Sequence, residues 1–497
     1  MKARLTIAAL CCLSATAYAQ DLQKGLAAYE SGELSEAAVY FYDVLSRDNV
    51  EDRRDTAEIY LADALKRLGL HVPAYFYYRD IFEAGPVNRF YVSSIAGLLD
   101  VRDALRDHLY VPVAISEHFD ANAFANLDRV QTDQINYMVG ELSFRQREYG
   151  EAQKLLESVS AQSIDYLKAR YLLGVLSARD GDNLGAKNYF LAVQNAPKIR
   201  DNDPVADRER NLALVAAARV SYASGDYNGA LDLYESVPRE TDAWFTSIYE
   251  SAWAYFRTGD YGRALGAVES SFSPYFAKHH VPEAYVVRAT TFFVNCQWDR
   301  VRTTYATYNA RYEPMRKQHG VYLGQERAPA TYFRDVVADG AGRYDAVLAR
   351  EVRRSQRFKD FNFAFEHMRW EVDVVARNPT WGSQRLGRDL SHIIEEQRSE
   401  LENALGRYVL AQLKYAGENL ENFSTQMRIL DFEVTDAERQ WLEQGREILK
   451  ENRKRLPRPE IPSDAWQHWS KNSEIWLDEV GYYRHTIRSE CLKQGEQ

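Results

Sequence analysis

Histidine, cysteine and carboxylate side chains are the groups that could carry catalysis or hold a metal ion, and in this sequence they are scattered. His279 and His280 are adjacent, but no carboxylate or cysteine stands at ligand spacing on a predicted common face. The segment 117–120 contains Glu, His and Asp in a stretch predicted to be loop, and His392 with Glu395 lies on a charged helix face. We interpret all of these as solvated surface.

The motifs that mark common active sites are missing from the sequence. It contains no glycine-rich phosphate loop, no His-Glu-x-x-His, no paired CxxC and no nucleophile elbow. The sequence therefore predicts no cofactor, no metal and no catalytic residue, which favours a protein that is not an enzyme.

Composition restricts both the architecture and the partners. The 497 residues carry a formal net charge of -10, and no basic stretch is interleaved with aromatic residues, which argues against a nucleic-acid partner. So long a chain exceeds what one hydrophobic core supports, and charged residues make up 27% of it. We therefore expect an extended array of small units, with other proteins as partners.

The first residues read as an export sequence. Residues 1–19 combine two basic residues, an apolar run and a small-residue cleavage site after Ala19, which predicts a cleaved signal peptide and a periplasmic or secreted protein. A lipoprotein modified at Cys11 or Cys12 is less favoured, because Leu10 or Cys11 would then precede the cysteine instead of a small residue. No later stretch is long and apolar enough to predict a transmembrane segment.

A repeat organises the next two thirds of the chain. Gly225-Asp226-Tyr227 recurs 34 residues later as Gly259-Asp260-Tyr261, each followed by an alanine at the same spacing. A small residue before the turn lets two helices cross closely, and the aromatic after the turn fills the gap between them. The turn positions that we assign to successive copies are Gly32, Gly69, Arg147, Gly181, Gly225, Gly259 and Cys296.

This pattern resembles the tetratricopeptide repeat (TPR), a family whose helix pairs stack into a right-handed superhelix. The resemblance implies an all-α fold: a TPR solenoid over residues 20–312 with about seven to eight helical pairs. One pair, at 90–128, is degenerate and includes a predicted β-branched loop at 110–115. The polar segment 201–208 is interpreted as an insertion; both segments are either tolerated insertions or binding loops.

The remaining third lacks the repeat. Residues 313–455 predict a helical hairpin or bundle with helices at 331–377 and 383–430, and residues 456–497 predict a Pro-rich linker and a docked aromatic tail. The 383–430 helix carries a coiled-coil-like seam that packs within the chain or joins a second copy in a homo-oligomer. The seam residues are Leu386, Leu390, Ile394, Leu401, Ala404, Tyr408, Ala411 and Tyr415.

The TPR resemblance also implies a partner-binding groove lined by the first helix of each pair. Its positions hold aromatic and cationic residues, which are enriched in binding hot spots. They also fit a second interpretation, in which individual aromatics such as Phe144 and Phe256 pack between repeats. The groove residues are Tyr137, Phe144, Arg145, Tyr171, Arg179, Arg219, Tyr222, Tyr249, Trp253, Phe256 and Arg257.

The function predicted from these features is a protein-interaction scaffold of the cell envelope that binds a partner peptide or helix in the groove. The four groove arginines predict a positive strip that attracts an acidic ligand. The layout of the chain is also similar to TPR proteins of bacterial gliding-motility and envelope-spanning machines. The alternative function is an enzyme, or an enzyme subunit, with an unrecognised site between the repeats and the carboxy-terminal helices.

Signal-peptide cleavage leaves Cys296 and Cys491 as the cysteines of the mature chain. Cys296 stands at the turn of the last repeat and Cys491 near the end of the aromatic tail, and the expected compartment is oxidising. We predict a disulfide between them that fixes the tail to the last repeat; two unpaired thiols are the alternative.

Overall fold

The computed structural model describes residues 20–47, 51–118, 124, 127–199, 201–340, 342–443, 461, 463–468 and 475–491. The predicted signal peptide lies outside these residues, as do Trp469 and most of the Pro-rich linker. The described part of the chain is α-helical and contains no β-strand, which confirms the all-α fold class.

The helices follow one another with short connections. Their bounds are α1 (residues 20–30), α2 (Leu34–Arg47), α3 (Glu51–Arg67), α4 (His71–Glu83), α5 (Tyr91–Leu105), α6 (Tyr110–Glu117), α7 (Arg129–Gln146), α8 (Tyr149–Ser158), α9 (Tyr166–Arg179), α10 (Asn183–Asn195), α11 (Pro204–Ala223), α12 (Tyr227–Glu235), α13 (Asp242–Arg257), α14 (Tyr261–Ser271), α15 (Pro282–Val294), α16 (Trp298–Leu323), α17 (Pro329–Val337), α18 (Ala346–Arg354), α19 (Gln356–Arg377) and α20 (Arg385–Glu443).

The chain divides into two compact units. Unit 1 takes the residues up to Asp165 together with Arg327–Arg334 and Arg353–Val409, and unit 2 takes Tyr166–Glu326, Asp335–Val352 and the residues from Leu410 onward. Helices α1 to α8 form four pairs in unit 1, and α9 to α16 form four pairs in unit 2. Within each unit successive pairs pack on one another, as expected for a helical-repeat fold.

A residue in the left-handed conformation ends the first helix of every pair. Seven of these turn positions are those assigned from the sequence, and the eighth is Arg106 between α5 and α6. Glycine adopts this conformation without steric cost, whereas Arg106, Arg147 and Cys296 adopt it with φ between 51° and 67°. In the Gly225 turn the backbone N–H of Asp226 donates to the carbonyl of Ser221 at 2.9 Å, which closes the end of α11.

The residue after the glycine caps the second helix. Asp226 accepts a hydrogen bond from the backbone N–H of Gly229 at 2.9 Å, and Asp260 accepts one from that of Arg263 at 3.0 Å. Each carboxylate thus satisfies an N–H group that has no partner within the helix. The Gly-Asp-Tyr sequence therefore encodes a complete helix end followed by a helix start.

Small residues allow the two helices of a pair to cross closely. A Cβ atom at Gly174 in α9 would lie 2.6 Å from the ring of Phe190 in α10, and one at Gly140 in α7 would lie 3.0 Å from Leu156 in α8. Ala218 and Ala252 occupy the equivalent places in α11 and α13 and are fully buried. This packing is the one predicted from the repeat pattern.

Helix α19 contacts the turn between α3 and α4 and the turn between α5 and α6 in unit 1. Glu371 is fully buried and accepts hydrogen bonds from the backbone N–H groups of His71 at 2.9 Å and Val72 at 3.2 Å. These are the first residues of α4, whose N-cap position holds Leu70, a residue that cannot cap. Glu371 therefore caps α4 from a distant part of the sequence.

Helix α20 carries a buried seam, but the predicted residues follow it only in part. Leu386, Leu390, Ile394 and Leu401 are buried, whereas Tyr415 is 64% exposed. Beyond Leu401 the large apolar residues that are buried are Leu405, Val409, Leu413, Leu420, Met427 and Val434. The sequence pattern predicted Ala404, Tyr408, Ala411 and Tyr415 instead, and each of these positions is one or two residues away from the nearest buried residue of the seam. Because the seam is buried against the chain itself, it is not an open face for a second copy.

Helix α16 pairs with the last part of α20 in unit 2. The Tyr308 and Ser424 hydroxyls are 2.9 Å apart, and Arg316 donates to Glu421 at 2.7 Å. Trp298 meets Trp441 edge to face with ring centroids 5.2 Å apart. Helix α16 itself continues to Leu323, beyond residue 312, where the repeat pattern ends in the sequence.

Three local expectations are corrected. Residues 110–115 are helical and belong to α6, because Asp107 accepts hydrogen bonds from the backbone N–H groups that begin this helix. The segment 201–208 is partly helical, since Asp203 caps α11 and Pro204 begins it. The helix expected at 331–377 is three helices, α17 to α19.

The tail is an extended segment bound to unit 2. Val480 is fully buried among side chains of α13 and α14, and the backbone N–H of His485 donates to the carbonyl of Gly262 at 2.9 Å. A Cβ atom at Gly266 would lie 1.7 Å from the carbonyl oxygen of Tyr483, so only glycine fits there. Docking was expected through the large aromatics: Tyr483 packs partly buried against this core, whereas Trp476 and Tyr482 are 55% and 63% exposed.

The predicted disulfide is present. Cys296 and Cys491 are bonded with Cα atoms 5.1 Å apart. Beside it, the backbone N–H of Glu490 donates to the carbonyl of Asn295 at 2.9 Å, and Gln297 donates to the carbonyl of Arg488 at 2.8 Å. The bridge therefore closes a segment that hydrogen bonds already hold against the last pair.

Gly225→Val should destabilise the protein by about 1–2 kcal/mol, because a β-branched residue is strained at φ 82° although the space around the Cβ position is open. The measurement is the free energy of unfolding from urea denaturation. Gly150→Val is the control: its Cβ position is equally open, its φ is not positive, and we expect a change within about 0.5 kcal/mol. Equal effects of the two substitutions would contradict the argument from backbone strain.

Replacing both cysteines, as Cys296→Ser with Cys491→Ser, should lower the stability of unit 2. The bridge spans 195 residues, and the chain-entropy model gives roughly 5 kcal/mol as an upper figure. The stability contributed by the bridge is measured by thermal unfolding of the oxidised, the reduced and the double-serine proteins. Reduction should reproduce the loss seen in the double variant and have no further effect on it; an unchanged melting temperature on reduction would contradict a stabilising role.

Candidate protein-binding face

The first helices of the pairs in unit 2, namely α9, α11, α13 and α15, carry most of the predicted groove residues. We call the surface that they form the first-helix face of unit 2. Its predicted members are partly or fully exposed, and polar contacts link neighbouring helices across it. The members are Tyr171, Arg179, Arg219, Tyr222, Tyr249, Trp253, Phe256 and Arg257.

Arg219 and Glu250 form the central contact. The Arg219 Nε and Nη2 atoms donate to the two carboxylate oxygens of Glu250 at 2.9 and 2.6 Å, which joins α11 to α13. Tyr234 and Tyr249 add hydroxyl hydrogen bonds to the same carboxylate at 3.0 and 3.3 Å. The hydrogen bond to Glu250 keeps the pKa of Arg219 above its ordinary value, so Arg219 carries a charge that its partner compensates.

Trp253 joins α13 to α15. Its indole N–H donates to Glu283 at 2.8 Å. Burial raises the pKa of Glu283 above that of a solvated carboxyl, and this hydrogen bond opposes the shift. Because Trp253 and Tyr249 remain partly exposed, each offers ring surface while its polar atom is held in place.

Three of the predicted groove aromatics pack on their own pair turn. Phe144 meets Tyr149 with centroids 6.0 Å apart, Tyr222 meets Tyr227 at 5.3 Å, and Phe256 meets Tyr261 at 5.6 Å. In each case the partner is the aromatic that begins the second helix. These contacts support the alternative in which such residues pack the turns, while their side chains stay partly exposed.

The four groove arginines do not share one environment. Arg145 belongs to unit 1, Arg219 is paired with Glu250, and Arg179 lies 3.5 Å from Asp180. Arg257 is stacked over Tyr227, with its Cζ atom 4.7 Å from the ring centroid. The first-helix face of unit 2 therefore presents compensated charge at Arg219, and the positive strip stays a prediction for Arg179 and Arg257.

The unit 1 members of the predicted groove lie on α7. Tyr137 is only 6% exposed and belongs to the packed interior more than to a surface. Arg145 keeps 20% of its side chain exposed and donates from Nη1 to the carbonyl of His108 at 3.0 Å. Its surroundings include Arg357 of α19, a residue that repeat positions could not indicate because it lies outside the repeats.

The histidine and carboxylate side chains of the described residues do not assemble into a metal site. These residues include no group of three or more His, Cys, Asp or Glu side chains arranged to hold a metal ion. Within the same part of the chain no helix is both long and apolar enough to cross a bilayer. The His279 ring packs at a tilt against that of Phe245 with centroids 3.8 Å apart, and burial lowers the pKa of His280 to about 4, so this pair packs as part of the helical body.

Comparison with known proteins gives limited likenesses. No family model matches the sequence, and no curated protein matches it. Among solved structures, a tetratricopeptide repeat protein from Parabacteroides merdae is 13% identical, with a TM-score of 0.26 over 59% of this chain and 93% of that one. The TPR domain of P58(IPK) is 13% identical, with a TM-score of 0.20 over 76% of this chain and 98% of that one. TM-scores this low carry no argument about the fold. The helical-repeat architecture is therefore inferred from the helix pairs and turns described above.

Glu250→Gln should lower the free energy of unfolding by about 1–2 kcal/mol, because Arg219 loses its compensating charge and two tyrosine hydroxyls lose a charged acceptor. The effect is limited because Arg219 is 54% exposed. Asp232→Asn on the exposed surface of α12 is the control and should change stability by less than about 0.5 kcal/mol. A Glu250 variant as stable as the control would show that the contact does not hold α11 to α13.

Proposed function

We propose that this protein is a non-enzymatic interaction scaffold that binds a peptide or helix of another protein on the first-helix face of unit 2. The observation that carries the proposal is the pair of partly exposed aromatics, Tyr249 and Trp253, whose polar atoms are fixed by Glu250 and Glu283. Helical-repeat folds commonly use such surfaces for protein partners.

Preorganised aromatics explain how such a face gains affinity. Tyrosine and tryptophan bury a large area and lose little side-chain entropy on binding, particularly when a hydrogen bond already restricts the ring. Tyr171 and Arg219 lie on neighbouring first helices and extend the surface. Since the charge of Arg219 is compensated, ring burial contributes more to recognition here than a long-range electrostatic field.

The proposed compartment is the periplasm or the cell exterior. The predicted export sequence at 1–19 supports it, and so does a disulfide, since such bonds persist in oxidising compartments. Within that compartment, the proposed setting is an envelope assembly or motility complex. This part of the proposal rests on the layout of repeats, helical segment and aromatic tail in the sequence.

Site-specific photo-crosslinking in the native cell tests the proposal. Benzoylphenylalanine placed at Tyr171 should crosslink to a small, reproducible set of proteins. The same amino acid at Leu184, which is 73% exposed on the second helix α10 of the same unit, is the control and should give none of these products. Trp253→Ala should reduce the yield at position 171 at least about tenfold, as expected for a hot-spot residue.

The outcomes separate binding from folding defects. The Trp253→Ala protein must retain its helical circular dichroism and its disulfide for the loss of crosslinks to count. Identical crosslink patterns from positions 171 and 184, or an unchanged yield in the Trp253 variant, would contradict binding on this face.

A further inference from the structure

Unit 1 contains a cluster of charged side chains where α19 meets the turn between α5 and α6 and the end of α7. Four basic residues and two acidic residues meet there. Three arginines face two carboxylates, so the cluster holds an excess of positive charge even before any charge on His108 is counted, and burial, which lowers the pKa of His108, is outweighed by Asp360 and Glu141, which raise it. Its members are Arg106, His108, Glu141, Arg145, Arg357 and Asp360.

The two carboxylates are already engaged. Asp360 contacts His108 Nε2 at 3.1 Å and Arg106 at 3.6 Å, and it accepts a hydrogen bond from Gln356 at 2.8 Å. Glu141 lies 3.8 Å from His108 Nδ1. Burial by itself would raise the pKa of Glu141, but the His108 contact and Arg145 lower it to about 2, so this carboxylate is ionised.

Two guanidinium groups keep unused donors. Arg145 donates from Nη1 to the His108 carbonyl at 3.0 Å and from Nε to the Glu141 carbonyl at 3.4 Å, while its Nη2 is buried without a partner among the described residues. The Nε of Arg357 is likewise buried without a described partner, and no described carboxylate lies within 4.0 Å of this side chain. Burial and the nearby Arg145 lower the pKa of Arg357 below its ordinary value.

Aromatic rings border the Arg357 guanidinium. Its Cζ atom is 5.6 Å from the centroid of Phe361 and 6.0 Å from that of Tyr408. The Phe361 ring also meets His108 edge to face at 6.2 Å, and His108 is the residue whose carbonyl binds Arg145. Arg357 therefore contacts Phe361, Phe361 contacts His108, and His108 contacts Arg145, so the two arginines belong to one group of contacts in unit 1. The planar, forked donors of arginine match the two oxygens of a carboxylate.

We propose that Arg145 and Arg357 together form a carboxylate-binding site in unit 1. A bound carboxylate would accept hydrogen bonds from the unused donors and compensate two partly buried like charges, which are otherwise unfavourable neighbours. The site uses a residue outside the repeats and does not depend on the proposed function of unit 2. The carboxylate belongs to a small free acid or to a protein segment, and both have the same chemistry at this site.

Binding to the intact protein tests the site with succinate as the free acid and with a short peptide ending in glutamate as the protein segment. Calorimetry and thermal shift are measured for both probes, with sodium chloride at matched ionic strength as the reference. At least one probe should bind and raise the melting temperature of the wild-type protein. The same peptide with amidated carboxyl groups should bind at least about tenfold more weakly.

Arg357→Gln should weaken binding of the probe at least about tenfold while leaving the melting temperature of the unbound protein unchanged or raised, because one of two neighbouring, partly buried positive charges is removed. Arg398→Gln is the matched control: Arg398 also stacks on a ring, with its Cζ atom 4.6 Å from the centroid of Phe365, and also has a buried Nε without a described partner. That variant should bind the probe as the wild type does.

Arg357→Lys provides a second variant, which keeps the charge but loses the forked donors and should bind several-fold more weakly than the wild type. Binding of neither probe, or binding unchanged in both Arg357 variants, would overturn the proposal. A strong loss of stability in Arg357→Gln with probe affinity retained would show that Arg357 is structural. Carboxylate binding without crosslinks at Tyr171 would support the carboxylate site and contradict the proposed function. Crosslinks at Tyr171 without carboxylate binding would contradict only the carboxylate site.

Discussion

The left-handed residue between the two helices of each pair is the constraint on which the rest of the structure depends. It reverses the chain within a few residues, so that the small residue of the first helix faces the second helix. It also places the next residue where an aspartate, as in Asp226 and Asp260, can cap the second helix. Without this reversal the first helices would not stand side by side, and contacts such as Arg219 with Glu250 would not form.

The sequence was sufficient for features that arise within one pair. Gly225 and Gly259 indicate their turns, and the alanine spacing indicates the helix crossing. Arg106 was missed because it lies in the degenerate pair, where the flanking repeat residues are not recognisable, whereas Arg147 has the same conformation and was assigned from the repeat residues around it. The helix at 110–115 was missed because its β-branched residues suggest extended chain, whereas Asp107 supplies the hydrogen bonds that start a helix.

Features that join distant parts of the chain were beyond sequence reasoning, with one exception. The Cys296–Cys491 bridge could be predicted because few cysteines remain after the expected cleavage. Glu371 and Arg357 gave no such indication, since any charged residue on a long helix fits a solvated face equally well. The shift of the α20 seam has a related cause: alanine and tyrosine are compatible with both buried and exposed positions, so the pattern allowed two registers.

The cap that Glu371 provides for α4 has a consequence for the order in which the protein can be completed. The residues that it joins are separated by about 300 positions, and unit 1 draws its residues from both sides of most of unit 2. A ribosome or an export channel releases the chain from its amino-terminal end, so the start of α4 must remain hydrated until residue 371 has emerged. The pair formed by α3 and α4 therefore cannot reach its final state until most of the chain has been synthesised.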